Sequence, residues 1–143
     1  MRSKLFLMLP IVAVALLAFK YAPTTKLTVE VDNIKYSSGK NISVGIFGKS
    51  TFPTIGKAEY EKLIVANGSK VSINFELPQG DYAVAVFHDL NSNKTLDKNF
   101  FGIPKEPYGF SKNFKPGMSA PDFSECSFTL SEAEKKLTIS LIY

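Results

Sequence analysis

The chain has 143 residues, 45% of them hydrophobic, with 12 Phe and 6 Tyr but no Trp, a composition that excludes a disordered segment and leaves room for one domain. The formal charge of +4 is concentrated at the start, since Arg2, Lys4 and Lys20 precede residue 23 and the remainder sets 14 Lys against 13 acidic residues. That remainder contains no Arg, so the bidentate guanidinium chemistry of nucleic-acid readout is absent and nucleic acid is excluded as a partner.

Residues 1–22 read as a targeting segment. Met1-Arg2-Ser3-Lys4 is a short basic region, and Leu5 to Phe19 is an apolar run too short for a membrane-spanning helix of roughly 20 residues. Ala13-Val14-Ala15 has the small-x-small form of a cleavage site but lies inside the run, and a cut after Ala18 would place the bulky Leu16 three positions back. The segment is therefore either a signal peptide that is removed or an N-terminal anchor that is kept, the second being the only route to membrane contact. In both cases the positive flank stays inside and residues 23–143 are exported, to the periplasm, the cell surface or the medium.

From there period-two alternation dominates. Leu27, Val29 and Val31 share one face, as do Ile42, Val44 and Ile46, then Val71, Ile73, Phe75 and Leu77. Tyr82 to Phe87 is apolar on both faces and predicts a central strand. Tyr60 to Val65, Phe123 to Leu130 and Leu137 to Tyr143 complete a set of about seven strands, separated by turn signals such as Ala66-Asn-Gly68 and Pro78-Gln-Gly80. No amphipathic helical pattern of useful length occurs. This layout predicts an all-β fold, an antiparallel sandwich of immunoglobulin-like or transthyretin-like type with one long ordered loop. In Leu77-Pro-Gln-Gly-Asp-Tyr82 the Tyr82 hydroxyl is expected to tie back to the preceding corner.

Between Asp89 and Pro121 the alternation stops. Loops beyond roughly 15 residues are usually functional or disordered, and Phe100, Phe101, Tyr108, Phe110 and Phe114 favour a folded loop that packs its own aromatics over the sandwich. Its first part, Asp89-Leu-Asn-Ser-Asn-Lys-Thr-Leu-Asp97, places oxygen-bearing side chains at positions 1, 3, 5 and 9. A hard cation such as Ca²⁺ takes six to eight oxygens at about 2.3–2.6 Å, and a curled loop supplies them from alternate side chains and one carbonyl. Asp89, Asn91, Asn93, Asp97 and the carbonyl of Thr95 are the candidate ligands, with Glu106 and His88 as supporting or anchoring groups. Lys94 stands where a sharp turn favours Gly, and Phe100 where a bidentate Glu would close the site. The same spacing also suits an Asx-rich turn whose side chains bond the loop's own backbone.

His88 is the only histidine and Cys126 the only cysteine, which excludes both a disulfide within the chain and a tetrahedral zinc site built from such ligands. Cys126 reads as an inert buried thiol, and His88 as a strand-end side chain bonded to a loop carbonyl.

Tyr82-Ala-Val-Ala-Val-Phe-His-Asp89, Asn91-Ser-Asn93 with Leu96-Asp97, and Phe101-Gly-Ile-Pro-Lys-Glu-Pro-Tyr-Gly-Phe-Ser111 occur in that order. Together they resemble the signature of an uncharacterised bacterial family of small exported proteins, domain of unknown function number 2141. The resemblance covers nearly all of residues 23–143 and implies a β-sandwich and export; it implies no activity. The family pattern usually has Gly where this chain has Lys94. The expected function is a non-enzymatic module that binds a small ligand or envelope protein through residues 88–114, ordered by Ca²⁺, with Phe101, Tyr108 and Phe110 as contact surface. A purely structural role for the loop as a lid, and a hydrolase using His88 with Asp89 or Glu106, are the alternatives.

Overall fold

The computed structural model describes residues 23–36 and 39–143; the targeting segment expected at 1–22 lies outside them. Among the described residues eight strands form two facing sheets. The smaller sheet holds β1 (Thr24–Asp32) between β4 (Val71–Pro78) and β8 (Glu134–Ser140). The larger runs β3 (Tyr60–Val65), β2 (Asn41–Phe47), β5 (Gly80–Asp89) and β6 (Tyr108–Phe110), and β7 (Phe128–Leu130) pairs with the first residues of β5.

Alternation is what drives the two sheets together. Leu27, Val29 and Val31 of β1, each fully buried, face Ile42, Val44 and Ile46 of β2 together with Val84 and Val86 of β5. Burying such a stripe from both sheets supplies the main stabilisation of a sandwich, at roughly 25 cal/mol per Å² of apolar surface removed from water. As its double-sided apolar sequence predicts, β5 is central, pairing with β2 on one side and with β6 and β7 on the other. The corner also closes as expected, the Tyr82 hydroxyl donating to the Pro78 carbonyl at 3.1 Å.

Four expectations need correction. The sheets are not wholly antiparallel, because β8 runs parallel to β1 from Lys26↔Glu134 to Asp32↔Ser140. The stretch expected to be one loop from Asp89 to Pro121 is interrupted by β6, which brings the strands among the described residues to eight, in keeping with the expected set of about seven. Phe123–Cys126 is a single helical turn, α1, rather than the start of a strand. Asp122 and Glu125 form a reciprocal capping box there, and that local bonding overrides the β pattern. Finally, Phe100 and Phe101 do not pack over the sandwich; they are 97% and 80% exposed. Among the described residues no helix is long and apolar enough to cross a membrane.

Candidate functional site: a curled loop beside an apolar groove

The loop after β5 is built on Asp89, which is almost fully buried. Its two carboxylate oxygens accept the backbone N–H groups of Asn93 at 3.1 Å and Lys94 at 2.9 Å. This draws the chain into a tight curl, with Ser92 and Lys94 at φ +63° and +62°. Lys94 therefore takes the left-handed conformation that the expected Gly would adopt freely, at a cost of about 1–2 kcal/mol for a side chain with a Cβ. Inside the curl, Asn91 and Asn93 both donate their side-chain amides to the Asp97 carboxylate, Asn93 at 3.1 Å. Asn91 and Asn93 also accept, through their amide oxygens, from the N–H groups of Asn93 and Thr95.

Glu106 fastens the base of the loop. Buried to 6% exposure, it accepts from Leu90 N–H at 2.9 Å and from Asp97 N–H at 3.2 Å, so one carboxylate ties the start of the curl to its end. Beyond the curl, Lys98 and Pro104 form a bridge, and the Asn99 side chain accepts from Phe101 N–H and Ile103 N–H to close a small hairpin. Phe100 and Phe101 sit at its tip.

The candidate ligands are thus brought together in part. Asn91, Asn93 and Asp97 meet, whereas the Asp89 carboxylate is taken up by backbone donors. Among the described residues no three His, Cys, Asp or Glu side chains are close enough to hold a metal ion. A cation in the curl would rely on Asp97, with the amides of Asn91 and Asn93 turned to present oxygen instead of nitrogen. Thr95 donates its N–H to the Asn93 amide oxygen at 2.9 Å.

His88 is fully buried. The backbone N–H of His88 donates to the Pro107 carbonyl at 2.8 Å, but neither ring nitrogen has a hydrogen-bond partner among the described residues, contrary to the expected tie to a loop carbonyl. The residue falls on the inward side of β5 with Val84 and Val86, opposite Ile42 of β2. Burial lowers its pKa below the ordinary histidine value, against the opposing pull of Glu106 and Asp89. Cys126 is likewise buried, and burial pushes its thiol up to about 11, which leaves it un-ionised at neutral pH.

The other side of the larger sheet carries the second half of the site. Cross-strand registry aligns Glu61, Gly45, Ala85 and Phe110 in one row, and Leu63, Ser43, Phe87 and Tyr108 in the next. Gly45 and Ala85 in the middle of the first row, and Ser43 beside Phe87 in the second, leave a depression, because Gly, Ala and Ser have no bulk to fill it. Loop residues Lys94 to Pro104 wall one side, the turn near Ile55 another and residues 116–121 a third, enclosing a groove of about 250 Å³. Tyr108 and Phe110 line it, and Phe110 joins a set of edge-to-face aromatics with Phe52, Phe47 and Phe123. A Cβ on Gly45 would meet the Phe47 ring at 2.8 Å, so this aromatic wall depends on glycine beneath it. Of the three expected contact residues, Tyr108 and Phe110 lie in the groove and Phe101 on the exposed hairpin tip.

Residues 29–138 match the family described as uncharacterised protein conserved in bacteria, DUF2141. The chain is a DUF2141 protein. No curated protein and no solved structure matches it. The matched span contains the whole curl, the hairpin and the groove floor, so the site described above belongs to the DUF2141 domain itself. Two of its features were not anticipated from the DUF2141 sequence. The groove floor draws on β2, whose outward Ser43 and Gly45 carry no binding signal of their own. Ser111 is fully buried; its hydroxyl accepts from Val84 N–H at 2.9 Å and donates to the Cys126 carbonyl at 2.6 Å.

Proposed function

We propose that this protein is an exported, non-enzymatic β-sandwich module that binds an apolar ligand in the groove on the outer face of its larger sheet. The 88–114 segment forms part of the wall. The observation that carries this reading is the groove itself: a concave, mainly apolar site with small residues beneath and aromatic residues beside, which is the usual character of a small-molecule pocket. Ile55, Phe101, Ile103 and Met118, all exposed, extend apolar surface around it. A hydrolase is poorly supported, because His88 is sealed in the core while Asp89 and Glu106 are occupied by backbone N–H groups.

Ca²⁺ has an auxiliary part in this reading. With one carboxylate and two amides in the curl, affinity falls in the weak, millimolar range of extracellular sites, and the ion would tighten a loop already closed by its own bonds. A second reading, in which the loop is only a lid, is favoured by the number of those bonds.

Binding of the neutral dye Nile red separates the two. The folded protein should raise Nile red emission, and Ala85→Phe, which fills the floor, should cut the response by about tenfold with little change in melting temperature. No emission gain, or a gain indifferent to Ala85→Phe, would leave the lid reading standing. For the ion, melting in millimolar Ca²⁺ against EDTA should show a rise of a few degrees; coincident curves would remove it.

A further inference from the structure

The charged residues around the groove are unevenly placed. Lys94 and Lys98 stand on the loop wall and Glu61 on the β3 side. Glu61 already has a partner, its carboxylate accepting the Ser43 hydroxyl at 2.5 Å. Among the described residues neither Lys94 nor Lys98 is in an ion pair. The groove therefore offers an apolar floor with two lysines outside any ion pair on one wall, and the carboxylate of Glu61 is engaged on the opposite side.

Size narrows the occupant further. A volume of about 250 Å³ is below the range of roughly 300–1,000 Å³ typical of pockets for larger ligands. That suits one linear chain or a single ring better than a fused or branched molecule.

We propose that the groove takes a single-chain carboxylate: the alkyl chain lies over Ala85 and against Tyr108 and Phe110, and the carboxylate meets Lys94 and Lys98. This rests on the reading that the groove binds an apolar ligand, and adds to it the charge and shape of that ligand. A charge-assisted contact between ammonium and carboxylate at the rim of a dry groove gives selectivity over a neutral chain of equal length. It also gives a salt dependence that a neutral chain lacks.

The test uses the protein spanning residues 23–143, titrated by calorimetry with decanoate, decanol and decyltrimethylammonium below their micelle concentrations. Decanoate should bind about tenfold or more tightly than decanol, a difference near 1.4 kcal/mol, with the cationic amphiphile weaker still. In the Lys94→Gln, Lys98→Gln double variant the preference for decanoate over decanol should disappear, with the melting temperature unchanged. Equal binding of decanoate and decanol overturns the carboxylate assignment but leaves an apolar groove in place. A preference for decanoate that survives the double substitution overturns the role of the two lysines. Failure of all three chains together with failure of Nile red overturns both readings, as does sedimentation showing a stable dimer whose dissociation is needed for any of them to bind.

Discussion

His88 has two polar nitrogens in the protein interior, and neither is bonded by any of the described residues. Leaving a buried donor or acceptor unpaired costs about 1–3 kcal/mol, so this position holds stability in reserve. His88→Leu, similar in volume and fully apolar, should raise stability by about 1 kcal/mol in chemical denaturation. The sign of the pH dependence follows from burial. The folded state holds the imidazole neutral and its pKa below 6.5, while the unfolded chain takes up a proton near that value. The contribution is therefore fully present above pH 6.5 and is lost as pH falls from there toward the lowered folded pKa. Melting temperature should drop between pH 7 and pH 5 in the parent and stay flatter in His88→Leu; parallel curves would mean that the ring finds a partner in solution. Lys94 shows a second departure from residue preference. Its identity argued against a sharp turn, yet the backbone turns there in the left-handed region because Asp89 binds two successive N–H groups.

At the scale of elements, the edge of β5 is shared. β7 pairs with Gly80 to Tyr82 and β6 with Ala85 to Phe87, which leaves Val84 at the change-over. Ser111, directly after β6, fills that gap with its hydroxyl and reaches across to the end of α1. Ser111→Ala should cost about 1–3 kcal/mol, the price of an orphaned buried N–H, and should increase amide exchange at Val84 ahead of the β2–β5 ladder. A loss below half a kcal/mol would show that water replaces the hydroxyl. What was legible in the sequence at this scale is what is local. Period-two runs located β1, β2, β4 and β5, and the Leu77–Tyr82 corner announced its own hydrogen bond. Three-residue β6 hides between Pro107 and Ser111, since Tyr-Gly-Phe is too short to display a period. Its Gly109 is needed only because β8 lies against it, a Cβ there meeting Ile139 at 2.8 Å and the Ser140 carbonyl at 3.1 Å. The parallel pairing of β8 with β1 is equally non-local, joining the two ends of the domain. The aromatic loop was recognised, but which of its rings pack depends on where β6 pairs.

Across the whole molecule the two faces of the larger sheet do different work. The inner face makes the core, and the outer face, where a purely structural sandwich would carry polar residues, has Gly45, Ala85 and Ser43 beside Phe87 in its middle. Four separate segments meet there, which is why the curl could be found from spacing while the groove beside it could not. The smaller sheet instead closes its outer face with charge: Glu30 bonds Lys136 at 2.9 Å and Lys70 at 3.0 Å, and its carboxyl is held down to about 2. Glu30 binds its proton only far below the histidine window, so acid weakens the two parts of the fold in separate ranges. The central claim, that the 88–114 loop and the outer sheet face form one binding groove, is tested most directly by amide chemical-shift mapping with decanol, whose neutrality leaves the lysine question aside. The account predicts saturable shifts confined to Ser43, Gly45, Ala85, Phe110 and the loop from Lys94 to Pro104. Shifts scattered over other surfaces, or none at concentrations near solubility, would contradict it.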